Sequence, residues 1–234
     1  MIGFITIFML FSCGNKDLKD TAEPYVKPVD FTLRILDIMN GVKPNVSCLS
    51  ADSNIPSSGN TNSEGDVLLR IAGNSQYTIT TTASGYMDHN VTGLSGTEDF
   101  TAVSLMASRD LTDQIYGMLN IDVDPSKGVL IVAIDDPELR PAIGASASTN
   151  LNNDGAFVFG ATSVEWSDTI PSGGSGFVAF PNIESGDAQI TITAPENQNC
   201  WFSPGGTPDS TTTASAQITE DQVTVVLFTC DVLE

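Results

Sequence analysis

From Val29 onward the hydrophobic positions recur mostly at every second residue, in short runs separated by clusters of Gly, Asn, Asp, Ser and Pro. Gln76-Tyr77-Thr78-Ile79-Thr80-Thr81-Thr82 places Tyr77, Ile79 and Thr81 on one face, and Ala188 to Ala194 does the same with Ile190 and Ile192. Neighbouring side chains of a strand point to opposite faces, so this alternation predicts half-buried strands. Val223 to Phe228 is denser and reads as a strand buried on both faces. No segment after residue 13 carries a sustained 3.6-residue apolar stripe. Arg109 to Met118, the best helical candidate, is short and reads as a linker turn. Strands at roughly ten-residue spacing with turn residues between them predict an all-β chain of antiparallel β-sandwiches.

The pattern repeats. Ile55-Pro56-Ser57-Ser58-Gly59 leads into Thr61 to Ile71, then Gln76 to Thr80 and Ala83-Ser84-Gly85-Tyr86. Ile170-Pro171-Ser172-Gly173-Gly174 leads in the same way into Gly173 to Ile183 and Gly186 to Pro195. Each unit is a polar Gly-bearing turn, a strand, a short turn and a second alternating strand. These units resemble the carboxypeptidase regulatory-like (transthyretin- or prealbumin-like) β-sandwich domain. In the first half, Gly41 to Val46 stands for that family's first element, Thr61 to Leu68 for its second and Tyr77 to Tyr86 for its third. In the second half, Arg140-Pro141-Ala142-Ile143-Gly144-Ala145 stands for the first and Gly173 to Ile183 for the second. The closing Gly-Tyr is replaced there by Pro195-Glu196-Asn197.

The resemblance implies two tandem Greek-key, transthyretin-like sandwiches, over 29–109 and 110–234, and fold more than function. Gly65 and Gly176 are expected to turn the chain with positive φ. Tyr86 is expected to lie over a sandwich end with its hydroxyl near water.

The N-terminus has a different texture. Ile2 to Phe11 is too short an apolar run to span a bilayer, which takes about 20 residues, and suits the h-region of a secretory signal. Leu10-Phe11-Ser12-Cys13 resembles the lipobox of bacterial lipoproteins. That resemblance implies removal of residues 1–12 and acylation of Cys13 with two or three chains, a firm membrane anchor. The n-region carries no Lys or Arg, and the alternative reading is a buried N-terminal element with an ordinary core cysteine. Residues 13–28, polar and with two prolines, read as the lipidated tether. The implied location is the bacterial cell envelope, outer membrane in particular, facing the periplasm or the surface.

Charge narrows the partners. The 234 residues hold 9 Lys plus Arg against 29 Asp plus Glu. Residues 14–28 are neutral, 29–109 carry −4 and 110–234 carry −16. Phosphate recognition needs a basic footprint, so a nucleic-acid partner is excluded. Solubility and self-repulsion account for so acidic a half. Envelope proteins or glycans remain as partners, besides the membrane.

Candidate chemistry is sparse. Cys200 and Cys230 are the natural disulfide in an exported chain, leaving Cys48 a buried free thiol. His89, the one histidine, reads as a solvated loop residue. No Gly-x-Ser-x-Gly elbow, CxxC, P-loop or GxGxxG occurs, so catalysis and cofactors are not expected. Asp122, Asp124, Asp135, Asp136 and Asp154, with Glu138, Asn152 and Asn153, supply hard oxygens suited to calcium. Asp122 to Gly128 fails as an EF-hand start, because Lys127 occupies the glycine position. Trp201 and Trp166 are candidates for stacking on a sugar, although a Trp packed against a disulfide in a sandwich core is the commoner arrangement. The expected role is a non-catalytic binding, adhesion or structural module. The alternatives are a carbohydrate-binding lipoprotein and an accessory subunit of an envelope peptidase.

Overall fold

The computed structural model describes residues 27–38, 41–43, 45–51, 55–203 and 212–232. The signal, Cys13 and the tether up to residue 26 lie outside the described residues. The first half holds β1 (Pro28–Asp37), β2 (Gly41–Val42), β3 (Ser47–Ser50), β4 (Ser58–Asn60), β5 (Asp66–Ala72), β6 (Gln76–Thr82), β7 (Asp88–Leu94) and β8 (Phe100–Met106). A helix, α1 (Arg109–Leu119), leads into β9 (Gly128–Asp135), β10 (Ser146–Thr149), β11 (Phe157–Phe159), β12 (Val164–Trp166) and β13 (Phe177–Ile183). The remaining strands are β14 (Gly186–Thr193), β15 (Gln198–Phe202), β16 (Thr213–Ile218) and β17 (Gln222–Val232).

Alternation places these strands as read from the sequence. Tyr77, Ile79 and Thr81 face inward on β6, as do Ala188, Ile190 and Ile192 on β14. In β1, Val29, Phe31, Leu33 and Ile35 face the core while Asp30, Thr32 and Arg34 point away. The strands form three sheets. β5 and β2 pair antiparallel to β1, and β8 lies parallel on β1. The three-stranded sheet runs β10-β14-β16. The ten-stranded sheet runs β12-β11-β13-β9-β17-β7-β6-β3-β4, with β15 also on β17.

That last sheet crosses the boundary between residues 109 and 110. β17 runs parallel to β9 and also parallel to β7, from Gln222 opposite Asp88 to Val226 opposite Thr92. The fold class is all-β with antiparallel sandwich packing, and the two halves are joined through a common sheet. Its strands β9, β13 and β17 form the middle of three layers. Val129, Ile131, Phe177, Ala179, Val223, Val225 and Leu227 belong to one core, with the inward side chains of β1, β5 and β6. Leu130, Val132, Val178, Phe180, Val226 and Phe228 belong to another, with Ala188, Ile190, Ala214 and Ala216 of the three-stranded sheet. Double coverage explains the continuous apolar run from Val223 to Phe228: both faces of β17 must leave water.

Two expectations change. Arg109 to Leu119 is a helix rather than a linker turn. Ser108 caps it, accepting the Leu111 amide at 3.2 Å, Asn120 ends it in the left-handed region, and Ile115 and Tyr116 are buried. Gly65 does turn with positive φ, at 78°. Gly176 does not serve in that way: it is not among the residues with positive φ, and a Cβ there would meet the Asp135 carboxylate.

Candidate functional site

Cys200 and Cys230 stand directly opposite each other on β15 and β17 and form the disulfide, with both residues fully buried. Cys48 is a free, buried thiol whose pKa is pushed up to about 12 by burial, which removes it as a nucleophile. Trp201 follows the disulfide on β15 and is only 7% exposed, so its ring has no open face for a sugar. Trp166 differs. It sits on β12, the outer strand of the large sheet, is 48% exposed, and has Gly155 close to one side of its ring.

His89 is not a solvated loop residue. It lies in β7 with 0% exposure, because alternation along Asp88–Leu94 turns it inward with Val91. Its Nδ1 is 2.8 Å from the Met87 carbonyl oxygen, and its Nε2 is buried without a partner. Burial pushes its pKa down to about 4, outweighing the Met87 contact, so the ring is neutral at pH 7. The Tyr86 hydroxyl, on a half-buried side chain, is engaged as well. It donates to the buried Asp37 carboxylate, and Lys43 Nζ lies 4.5 Å from the ring centre. Burial first and Asp37 second push the tyrosine up to about 12.

The five aspartates proposed for calcium do not assemble. Asp122, Asp124 and Asp154 approach one another only through Asn182. The Asn182 Nδ2 donates to the Asp122 main-chain oxygen at 2.8 Å and to Asp154 Oδ2 at 2.6 Å, while its Oδ1 accepts the Asp124 amide at 3.1 Å. Asp124 turns its own carboxylate onto Ser126, which holds it below its ordinary value. Asp136 instead closes the turn after β9, accepting the Glu138 and Arg140 amides and the Arg140 Nε. Among the described residues no three His, Cys, Asp or Glu side chains gather closely enough to hold a metal ion. Asp124 and Asp136 are held by their own turns, and Asp154 by Asn182.

Asp135 stands apart from that set. Along β9 it continues the face of Ile131 and Ala133, and it lines a cavity of about 410 Å³. The cavity lies where β1 and β8 meet the central sheet, with Leu36, Val103 and Leu105 on one side and Ile131, Phe177 and Val225 on the other. Ser104 and Ser175 line it as well, and both of their hydroxyl oxygens are buried without a hydrogen-bond partner. Burial, and then the neighbouring Asp136, raise Asp135 to about 6. The cationic residue in the wall, Arg34, is already engaged, donating from Nε and Nη2 to both oxygens of Asp66 at 2.6 and 2.9 Å.

An apolar cavity with a few convergent polar groups is the general form of a small-ligand site. The geometry suits binding, since the neutral His89 belongs to another wall of the molecule and is not among the cavity's lining residues. Ser104 and Ser175 went unnoticed in the sequence. Period-2 counting from Ile131 would have placed Asp135 on this face.

No family model matches the chain, and no curated protein matches it. Solved structures do. The Bacillus anthracis TIE protein is 12% identical with a TM-score of 0.28, over 87% of this chain and 34% of that one. The chain thus spans about a third of the TIE protein's length. The minor pilin GBS52 of Streptococcus agalactiae is 11% identical with a TM-score of 0.31, over 88% and 96% of the two chains. The shaft pilin SpaA of Lactobacillus rhamnosus GG is 10% identical with a TM-score of 0.26, over 90% and 100%.

Proposed function

We propose that this chain is a non-catalytic structural or adhesion module of the bacterial cell envelope, held at a membrane by acyl chains on Cys13. The observation that carries this reading is the central sheet, covered on both faces and bridged across β15 and β17 by a fully buried disulfide. Such a bridge persists in oxidising compartments outside the cytosol. A sheet packed on both sides resists local opening, as a load-bearing or display module requires. The sealing of His89 supports the absence of acid–base chemistry, because a neutral, buried imidazole cannot reach a substrate proton. No described helix is long and apolar enough to cross a membrane.

Fractionation of cells expressing the full chain tests the anchor. Wild type is expected with the membranes and Cys13→Ala in the soluble fraction. Wild type found soluble would end the anchored reading. A second reading, carbohydrate contact, is favoured by one observation: Trp166 keeps an open ring face on an outer strand. A glycan array that shows binding by wild type and none by Trp166→Ala would support it. Equal signals from the two would remove it.

A further inference from the structure

We propose that the cavity beside Asp135 is a binding site for a small aliphatic amine, an apolar stem ending in an ammonium group. The proposal goes beyond the structural reading above and does not depend on the anchor. Its volume of about 410 Å³ falls within the range of small-ligand sites, roughly 300–1,000 Å³. The walls are aliphatic and aromatic, which suits a hydrocarbon stem, since each buried methylene contributes about 0.8 kcal/mol.

The polar groups then choose the head. Asp135 contributes a carboxylate, which only accepts hydrogen bonds when ionised, while Ser104 and Ser175 keep their hydroxyls buried in the wall. Ser104 is 2% exposed, and among the described residues its Oγ has no hydrogen-bond partner. An ammonium presents three donors and no acceptor, and so pairs with a carboxylate at the end of an apolar cavity.

No side chain among the described residues already supplies that cation. Arg34 forms its fork with Asp66, and Arg140 donates to Asp136 from Nε at 2.6 Å and to Glu138 from Nη2 at 2.7 Å. Asp135 itself has no cationic partner among the described residues, and burial, with Asp136 beside it, disfavours its ionised form. An anionic ligand would meet the Asp135 carboxylate. A neutral ligand would leave the buried charge unpaired, which is costly. The surrounding half carries −16, so the long-range field also favours a cation.

The experiment is calorimetric titration of the full chain with hexylammonium, 1-hexanol and hexanoate, on wild type, Asp135→Asn and Asp154→Asn. Wild type is expected to bind hexylammonium saturably with one site, and the alcohol and the carboxylate at least tenfold more weakly. Asp135→Asn should lose at least tenfold in hexylammonium affinity and keep its affinity for hexanol. Asp154→Asn, an exposed acid away from the cavity, should behave as wild type and so exclude general attraction to an acidic surface. Circular dichroism checks that each variant is folded. The proposal is overturned if folded wild type shows no saturable hexylammonium binding. It is equally overturned if hexanol binds as tightly, or if Asp135→Asn binds the amine unchanged.

Discussion

The same three strands, β9, β13 and β17, show two different solutions on their two faces. On one face Leu130, Val132, Val178, Phe180, Val226 and Phe228 meet a sheet whose inward positions include Ala147, Ala188, Ala214 and Ala216. Large side chains opposite small ones interdigitate, and the disulfide closes that layer near Phe202 and Phe228. On the other face Ile131, Phe177 and Val225 meet β1 and β8, and β8 is the outermost strand of its sheet. Beyond it the facing layer stops. A cavity remains, with Asp135, Ser104 and Ser175 around it. One face is filled for stability, and the other leaves polar groups short of partners. A strand buried on both sides need not be buried for one reason.

The largest expected effect lies on the filled face. Phe228→Ala should destabilise the fold by about 3–5 kcal/mol, the usual range for an aromatic removed from a packed core. Its ring is buried and packs 5.6 Å from that of Phe202. Urea denaturation of the purified chain measures it, and a loss below about 1 kcal/mol would mean that this face is as loose as the other.

Opening the disulfide comes next. Replacing both Cys200 and Cys230 by Ser frees a loop with a sequence separation of 30, which chain entropy values at about 3–4 kcal/mol. The midpoint of urea unfolding should fall accordingly. A double variant as stable as wild type would show that the packed sheet alone holds this layer.

The third prediction sets the two buried titratable groups against each other. Asp135 has a pKa near 6 in the fold against 3.8 for the free side chain, so its contribution is fully present below about 3.8 and lost as pH rises through 6. His89 has the opposite sign. Its folded value near 4 lies below the ordinary 6.5, so its contribution is present above 6.5 and lost as pH falls towards 4. Between pH 6 and 4 the two largely offset each other. Asp135→Asn should therefore stabilise the chain at pH 7 by roughly 1–3 kcal/mol. It should also steepen the loss of stability on acidification, exposing the histidine. Unfolding curves at pH 7, 5.5 and 4.5 decide the matter, and a variant with the pH profile of wild type would break the comparison.

The smallest effect belongs to the surface. Arg109 at the start of α1 donates to Asp221 between β16 and β17 at 3.1 Å, with both side chains about half exposed. Although this pair links the two halves, Arg109→Ala should cost less than about 0.5 kcal/mol, because solvent screens it.

Much of the fold was legible because alternation is a local property. Tyr77, Ile79 and Thr81, or Ile190 and Ile192, show their face without reference to any other strand. The density of Val223 to Phe228 likewise announced burial on both sides. What covered each side was not legible, since pairing of β17 with β7 joins residues more than 130 positions apart. The helix was missed because its stripe is short, although Ser108 and Asn120 were readable as its caps. His89 was misplaced because polar neighbours, Asp88 and Asn90, suggested a loop, while β-strand alternation made those two the outward pair of β7. The site was harder still. Asp135 was singled out for its charge among other acids, and its separation from them came from the strand face it shares with Ile131. Ser104 and Ser175 carry no pattern that distinguishes them from other serines.

The parallel pairing of β17 with β7 also bears on the order in which the molecule can assemble. β17 is synthesised after every other described strand, yet it covers the edge of β7 and divides the two cores. Until it arrives, β7 presents unpaired amides and carbonyls along one side, an open template for another chain. Contacts of such long sequence separation form late and slowly. The intermediate most in need of protection is therefore one in which the other described strands have formed and β17 has not yet paired.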